Sequence, residues 1–416
     1  MSNNAPQTLK GFRDFLPTEK RKRDYISGII RATFERHGFE PVETPTLEYA
    51  SLLLGKYGAE ADKLVYKFED QGERQIGLRY DQTVPTARLL AQYKHTLPKY
   101  FRRYQIQNVF RAEKPQKGRF RELTQCDCDI FGSKSPLADA EVLAVFYNVY
   151  KNIGLQDIRI VINDRQTLVQ NLSPFATETV DVFSIIQSID KLDKIAAEGV
   201  IEDLTRKGLS HDVAVHALER IQNTEMSANL ATIRKHALQL GISEQALIFN
   251  PTLARGLDYY TGLIFESQIP DYGAGSLGGG GRYDNLIKQL GGEDTPAVGF
   301  AIGFDRTVEI AEQKGLIKQE GATAQVLVTI FDERLAENSF YIAQMLRNAG
   351  INVEVYPETA DKLGKQLKYA NDRLMPFVII VGPDEAKEGI GVVKNMKTGE
   401  EKKVKINEIV KNIIIR

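Results

Sequence analysis

The chain has 416 residues, of which 42% are hydrophobic and 26% charged, and its net charge is -1. That length exceeds one ordinary core and predicts two or three domains, and the composition excludes a disordered chain. Near-zero charge excludes inferring a polyanionic partner from bulk charge, so any nucleic-acid surface must be local.

The opening MSNNAPQTLKGF lacks the apolar core of a signal peptide and the Arg-rich amphipathic character of an import sequence, and no run reaches the length needed to cross a bilayer. A cytoplasmic protein with no membrane association is expected. From Glu19 to Arg36, Ile26, Ile29, Ile30 and Phe34 recur at helical spacing, with the basic run Lys20 to Arg23 as a solvated helix start. GFEPVETPTLE follows Gly38 as an extended segment closed by Pro45. Gln75 to Thr83 reads as a strand opening into a turn, where a lone Asp81 would ordinarily serve as a cap, and Thr83 to Tyr93 as a helix.

Phe110 to Gly132, FRAEKPQKGRFRELTQCDCDIFG, reads as a strand, a basic Gly- and Pro-containing loop and a returning strand. Side chains on the returning strand alternate, so Gln125, Asp127 and Asp129 share one face, and Cys126, Cys128 and Ile130 the other. The two cysteines are too close for an easy disulfide and lack partners for a zinc site, which makes them buried strand residues. Cations dominate from Lys99 to Arg121, and carboxylates follow directly. Such a surface suits a ligand with polyphosphate at one end and an ammonium or imidazole at the other; the alternative is an amphipathic hairpin with one solvated face.

Leu137 to Asn152 then reads as a helix and Ile158 to Ile162 as a strand. From about Leu168 to Leu240 apolar residues recur at helical spacing as in an inserted helical module, whose His211, His216 and His236 lack metal-ligand spacing. Aromatic and Gly-rich character returns in LARGLDYYTGLIFES and YGAGSLGGGGRYDNLI. Gly278 to Gly281 removes four successive side chains, which admits a ligand to the backbone or permits a sharp turn. Arg255 falls in what reads as a buried strand, where a guanidinium calls for an anionic partner, either Asp258 or a ligand. After a strand and helix over Pro296 to Arg306 and a linker at Gln319 to Thr323, alternating strands and helices form a separate α/β domain ending in a helix over Ile406 to Ile414.

Three segments resemble, in order, the signature motifs of class II aminoacyl-tRNA synthetases: Gly38, Phe39, Val42 and Pro45 the first, Phe110 through Arg119 to Asp127 the second, and Gly299 to Arg306 the third. RGLDYY, GGGRYD and the loop EKPQKGR narrow the resemblance to the histidyl-tRNA synthetase family, over essentially the whole chain. The resemblance implies an α+β fold: an antiparallel-sheet catalytic domain in two parts (1–167 and 241–318), a helical insertion (168–240) and a C-terminal anticodon-binding-type α/β domain (324–416). It also implies a homodimer that joins L-histidine to tRNA(His) at the cost of ATP, with Mg²⁺ accompanying the phosphates and no protein metal ligands assigned.

By the same resemblance, Arg111 and Arg255 are the catalytic cations at the α-phosphate, and Glu113, Arg119, Leu123 and Arg306 join Arg111 in the ATP site. Asp81, Thr83, Gln125 and Asp129 would surround the α-amino group, with Arg255, Tyr259, Tyr260 and Tyr283 completing the histidine pocket. Lys114, Gln116 and Arg121 are candidates for the tRNA acceptor end. Leu123 stands where the family pattern has an adenine-stacking Phe, and Asp81 and Asp305 stand where glutamates are common. A regulatory paralogue resembling the ATP phosphoribosyltransferase subunit would lack the C-terminal domain and the Arg-containing peptide, and RGLDYY argues against a threonine or proline enzyme.

Overall fold

Ser135 caps the helix Pro136–Ile153 by accepting from the Leu137 amide, Pro136 supplies a preset first turn, and left-handed Gly154 ends it. In this computed structural model, which describes residues 6–54, 64–114, 120–255, 259–270, 272–273, 275–290, 292–317, 321–359 and 361–413, that helix lies at the centre of the larger of two compact units, 1–14 with 22–317. Its Phe146 meets Phe265 and Phe300 at ring separations of 5.1 and 4.8 Å, which welds it to a sheet.

Among the described residues that sheet has eight strands. They are β1 (Glu40–Pro41), β5 (Phe101–Phe110), β6 (Glu122–Phe131), β7 (Arg159–Asp164), β8 (Leu247–Phe249), β9 (Leu263–Gln268), β10 (Gly278–Arg282) and β11 (Ala297–Gly303). Their order is β1-β5-β6-β11-β10-β9-β7-β8, antiparallel except for the outer pairs β1·β5 and β7·β8. β2 (Leu47–Tyr49), β3 (Lys67–Glu69) and β4 (Gln75–Leu78) form a separate three-stranded sheet. The helix Pro17–Arg36 buries Ile26, Ile30 and Phe34 in the main core.

The returning strand β6 forms as the sequence predicts, with Cys126 and Cys128 fully buried in the core and free, but the outgoing strand lies upstream, ending rather than starting at Phe110. The polar face of β6 is not solvated, however: Asp127 and Asp129 are only 4% and 5% exposed. Four glycines in succession do not make a turn either. Gly278–Arg282 is a central strand, bonded to β9 on one side and β11 on the other. Glycine has low strand propensity, and here the space left by its missing side chains decides the outcome. Short helices follow β7, among them Val182–Ile189, His211–Gln222 and Ala228–Gln239, capped by Asp181, Ser210 and Ser227.

In the second unit, 15–21 with 318–416, β12 (Val326–Val328), β13 (Val353–Val355) and β14 (Phe377–Ile380) run parallel, while β15 (Ile390–Asn395) and β16 (Glu401–Lys405) complete the sheet antiparallel. Val326, Val328, Ile342, Leu346 and Ile379 form its core. The terminal helix is shorter than the sequence implies, a 3-10 turn Ile406–Glu408 followed by Ile409–Asn412. No helix among the described residues is long and apolar enough to cross a membrane.

Candidate active site

A cleft of about 510 Å³ opens over β6, β10 and β11, a size typical of small-molecule sites. The antiparallel register places Gln125 of β6 opposite Gly303 and Asp129 opposite Gly299 of β11. Arg111, Glu113, Leu123, Gln125, Arg255 and Arg306 all line the cleft, so residues that lie far apart in the sequence meet.

Two of its guanidiniums are held in different ways. Arg111, just past β5, donates through Nε to the Tyr80 carbonyl at 3.3 Å and lies over the Tyr80 ring. Arg255 is not in a strand: it sits in a connecting segment with φ of 50°, a left-handed conformation that costs energy for a residue with a Cβ. Its Nη1 donates to the Phe265 carbonyl at 3.1 Å, and its buried Nε has no partner. Burial works against the charge of Arg255, but Tyr260, Glu266 and Tyr259 outweigh it and the net shift is upward, so the group stays cationic. Asp258, the partner considered from sequence, lies outside the described residues.

Arg306 opens the helix Phe304–Gln313 and donates to the Ser276 carbonyl at 2.9 Å. Its neighbour Asp305 is held by Arg13 and Arg23, each at 2.7 Å. Arg23, expected on a solvated helix start, is therefore part of the cleft's frame. Leu123 lines the cleft together with Phe120, and the Arg13 guanidinium lies over the Phe120 ring.

From Arg255 a run of aromatic rings leads to the acidic face. Arg255 lies over Tyr260 at 5.9 Å, Tyr260 meets Tyr259 at 4.8 Å, and Tyr259 meets Tyr283 at 5.9 Å. The Tyr283 hydroxyl donates to Asp129 Oδ1, and Arg103 Nη2 stands 2.7 Å from Oδ2 of the same carboxylate. A Cβ at Gly299 would fall 1.8 Å from Asp129 Oδ1, so this carboxylate exists only because position 299 has no side chain. Burial pushes the Asp129 carboxyl up against the pull of Arg103, and it pushes Asp127 well above the carboxylate range. Burial likewise raises the Tyr259 and Tyr283 hydroxyls well above their ordinary value.

Asp127 Oδ1 and Gln125 Oε1 are buried acceptors with no hydrogen-bond partner, and buried acceptors are ordinarily satisfied. Two orphaned acceptors on one strand face, beside acids that burial makes reluctant to ionise, fit a cationic ligand group. Asp81 does act as a cap, accepting from the Val84 amide at 3.2 Å, and Thr83 opens the helix Thr83–Tyr93 beside it.

Of the acceptor-end candidates, Lys114 is exposed, Gln116 lies outside the described residues with Arg119, and Arg121 donates to the carbonyls of Glu113 and Lys10. Sequence reasoning passed over Arg103, Glu266 and Asp127 as site residues. Asp127 shares the face of Gln125 and Asp129, a signal the alternation already contained. Nothing local distinguishes Arg103 from the other cations of its strand.

Among the described residues no group of three or more His, Cys, Asp or Glu side chains could hold a metal ion. The acids lining the cleft are Glu113, Asp190, Glu266 and Asp305, the last of them paired with Arg13 and Arg23. That donor set fits an ion such as Mg²⁺ that keeps most of its waters and rides on phosphates, and it does not fit a structural metal.

The family model described as histidyl-tRNA synthetase matches residues 11–307, and one described as anticodon binding domain matches 325–415. A histidine–tRNA ligase of Wolinella succinogenes is 39% identical, over 96% of this chain and 95% of that protein. One from Bacteroides fragilis is 38% identical, over 97% and 98%. The crystal structure of histidyl-tRNA synthetase from Nostoc sp. PCC 7120 superposes with a TM-score of 0.84 at 29% identity, covering 98% of both chains.

Proposed function

The chain belongs to the histidyl-tRNA synthetase family, and from that membership we propose that it works as a histidine–tRNA ligase through the cleft over β6, β10 and β11. A histidine carboxylate oxygen attacks the α-phosphorus of ATP, the bond to the bridging oxygen breaks and pyrophosphate leaves. The resulting histidyl-adenylate then gives its acyl group to the 3′-terminal hydroxyl of tRNA(His), releasing AMP.

The observation that carries this reading is that one cleft is lined by Arg111, Arg255 and the orphaned acceptor Gln125, whose strand face also carries the orphaned acceptor Asp127. Charge gathers on the α-phosphate oxygens in the transition state, and cations fixed beforehand lower that barrier without reorganising. Arg111 and Arg255 take this role; Glu113, Arg119, Leu123 and Arg306 hold the nucleotide. Asp81, Thr83, Gln125 and Asp129, joined by Asp127, receive the α-amino group, while Tyr259, Tyr260 and Tyr283 enclose the imidazole. A pocket with fixed polar partners rejects apolar analogues by about 10⁴ to 10⁵ without editing. Glu113 and Glu266 would hold Mg²⁺ arriving with ATP, and the ion would supply charge neutralisation on the phosphates.

Lys114, Gln116 and Arg121 meet the acceptor end, and the domain at 324–416 reads the anticodon. The division at 1–167, 168–240 and 241–318, a homodimer and a cytoplasmic location belong to the same proposal. ATP–pyrophosphate exchange with each standard amino acid in Mg²⁺ tests it. Exchange with histidine alone is expected. A folded protein that binds histidine yet exchanges with none would instead be a regulatory paralogue.

A further inference from the structure

Three backbone carbonyls in the four residues before Arg255 are held by one short stretch of chain. Asn163, near the end of β7, donates through Nδ2 to the carbonyls of Pro251 and Leu253, both at 2.9 Å. Arg165, two residues on, donates through Nη1 to the Ala254 carbonyl at 3.3 Å. Both side chains are buried, at 1% and 2% exposure, so water cannot replace these donors. The next residue is Arg255, with its φ of 50°. A left-handed backbone at a residue with a Cβ persists only where the surroundings over-determine it.

We infer that Asn163 is the positioning residue for Arg255, with Arg165 as its second support. Asn163 saturates both amide protons on the carbonyls at 251 and 253, which fixes the approach of the chain, and Arg165 pins the carbonyl adjoining Arg255 itself. Neither residue lines the cleft with Arg255, and their hydrogen bonds to the segment before it go to backbone carbonyls. The inference rests on the phosphate role proposed above for Arg255, and it is separable from it.

The test is a double-mutant cycle read by calorimetry, with a non-hydrolysable sulfamoyl analogue of histidyl-adenylate as the probe. Asn163→Ala is expected to weaken binding about tenfold in the native background, the scale of coupling between residues in one network, and less than about twofold on Arg255→Ala. Equal weakening in the two backgrounds overturns the inference, since it would mean that Asn163 acts through general stability. If Asn163→Ala does not fold, Arg165→Gln takes its place with the same expected pattern. If Arg255→Ala itself leaves analogue affinity and pyrophosphate exchange unchanged, the phosphate role fails, and the positioning role falls with it; loss on Arg255→Ala with equal weakening by Asn163→Ala overturns the positioning role alone.

Discussion

Gly279 and Arg255 divide one small volume between them: a Cβ on Gly279 would lie 1.9 Å from Nη1 of Arg255 and 2.5 Å from the Phe265 carbonyl that this nitrogen bonds. The glycine in β10 is the condition for the guanidinium's place. Arg255→Ala is expected to lower pyrophosphate exchange by about 10²- to 10³-fold, the loss typical of one preorganised transition-state contact, with the melting temperature preserved. Gly279→Ala should be both inactive and destabilised, and less destabilised on the Arg255→Ala background, where one of its two clashes is gone. Thermal melts of the two single variants and the double variant check this; additive destabilisation would show that the arginine does not occupy that space.

Asp127 gives a prediction with a sign. Burial pushes its carboxyl well above the ordinary 3.8, with Arg103 opposing and Asp129 and Asp81 adding to the rise. The folded state thus holds this proton more tightly than the unfolded state does. The contribution to stability is complete below the ordinary value and is lost as pH rises through the raised one. Asp127→Asn should therefore melt higher than the native protein at neutral pH, with the difference closing on acidification. The same variant should gain less stability from added histidine, because it has lost an acceptor for the ammonium. An identical histidine-induced shift in both proteins would remove Asp127 from the site.

Leu123 lines the cleft beside Phe120, at the position where the family pattern has a ring. Leu123→Phe should lower the apparent KM for ATP by adding a stacking face for adenine, worth about 1 kcal/mol or a few-fold. Initial-rate kinetics at saturating histidine measure it. An unchanged or higher KM would mean that the adenine lies elsewhere.

The unit built on β12 to β16 has a core of its own. Removing Ala324 to Arg416 should leave pyrophosphate exchange within about tenfold of native, while aminoacylation of tRNA(His) falls by several orders of magnitude, on the order of the gap between specific and non-specific nucleic-acid binding. Equal losses in the two assays would assign the domain a structural role.

The returning strand β6, the helix Thr83–Tyr93 and the alternation that puts Gln125, Asp127 and Asp129 on one face were legible in the sequence because local periodicity fixes them. Arg255 was legible as a buried cation needing a partner, though not as a left-handed residue, because an apolar and aromatic neighbourhood reads as strand whatever its backbone does. Gly278–Arg282 misled for the opposite reason. Its composition favours a turn, and the strand is imposed by what must fit around it, Arg255 against Gly279 and the Tyr260 ring against Gly281. The pairing of Arg103 with Asp129, directly opposite each other in the hairpin, was missed because the outgoing strand was placed too late in the chain, from Phe110 on.

The order of strands in the main sheet also has a consequence for synthesis on the ribosome. β6 can pair with β5 as soon as the hairpin emerges, but its other edge is closed only by β11, which comes after β7 to β10 and all the intervening helices. At ordinary elongation rates the stretch from Phe131 to Ala297 takes on the order of ten seconds to make. Throughout that interval the nascent chain carries an open strand edge with Asp127 and Asp129 on one face and the two thiols on the other. Such an edge is a template for pairing with another chain. Asp127 and Asp129, buried only once the sheet closes, are ordinary exposed carboxylates until β11 arrives, and their charge then repels the same strand of a neighbouring nascent chain.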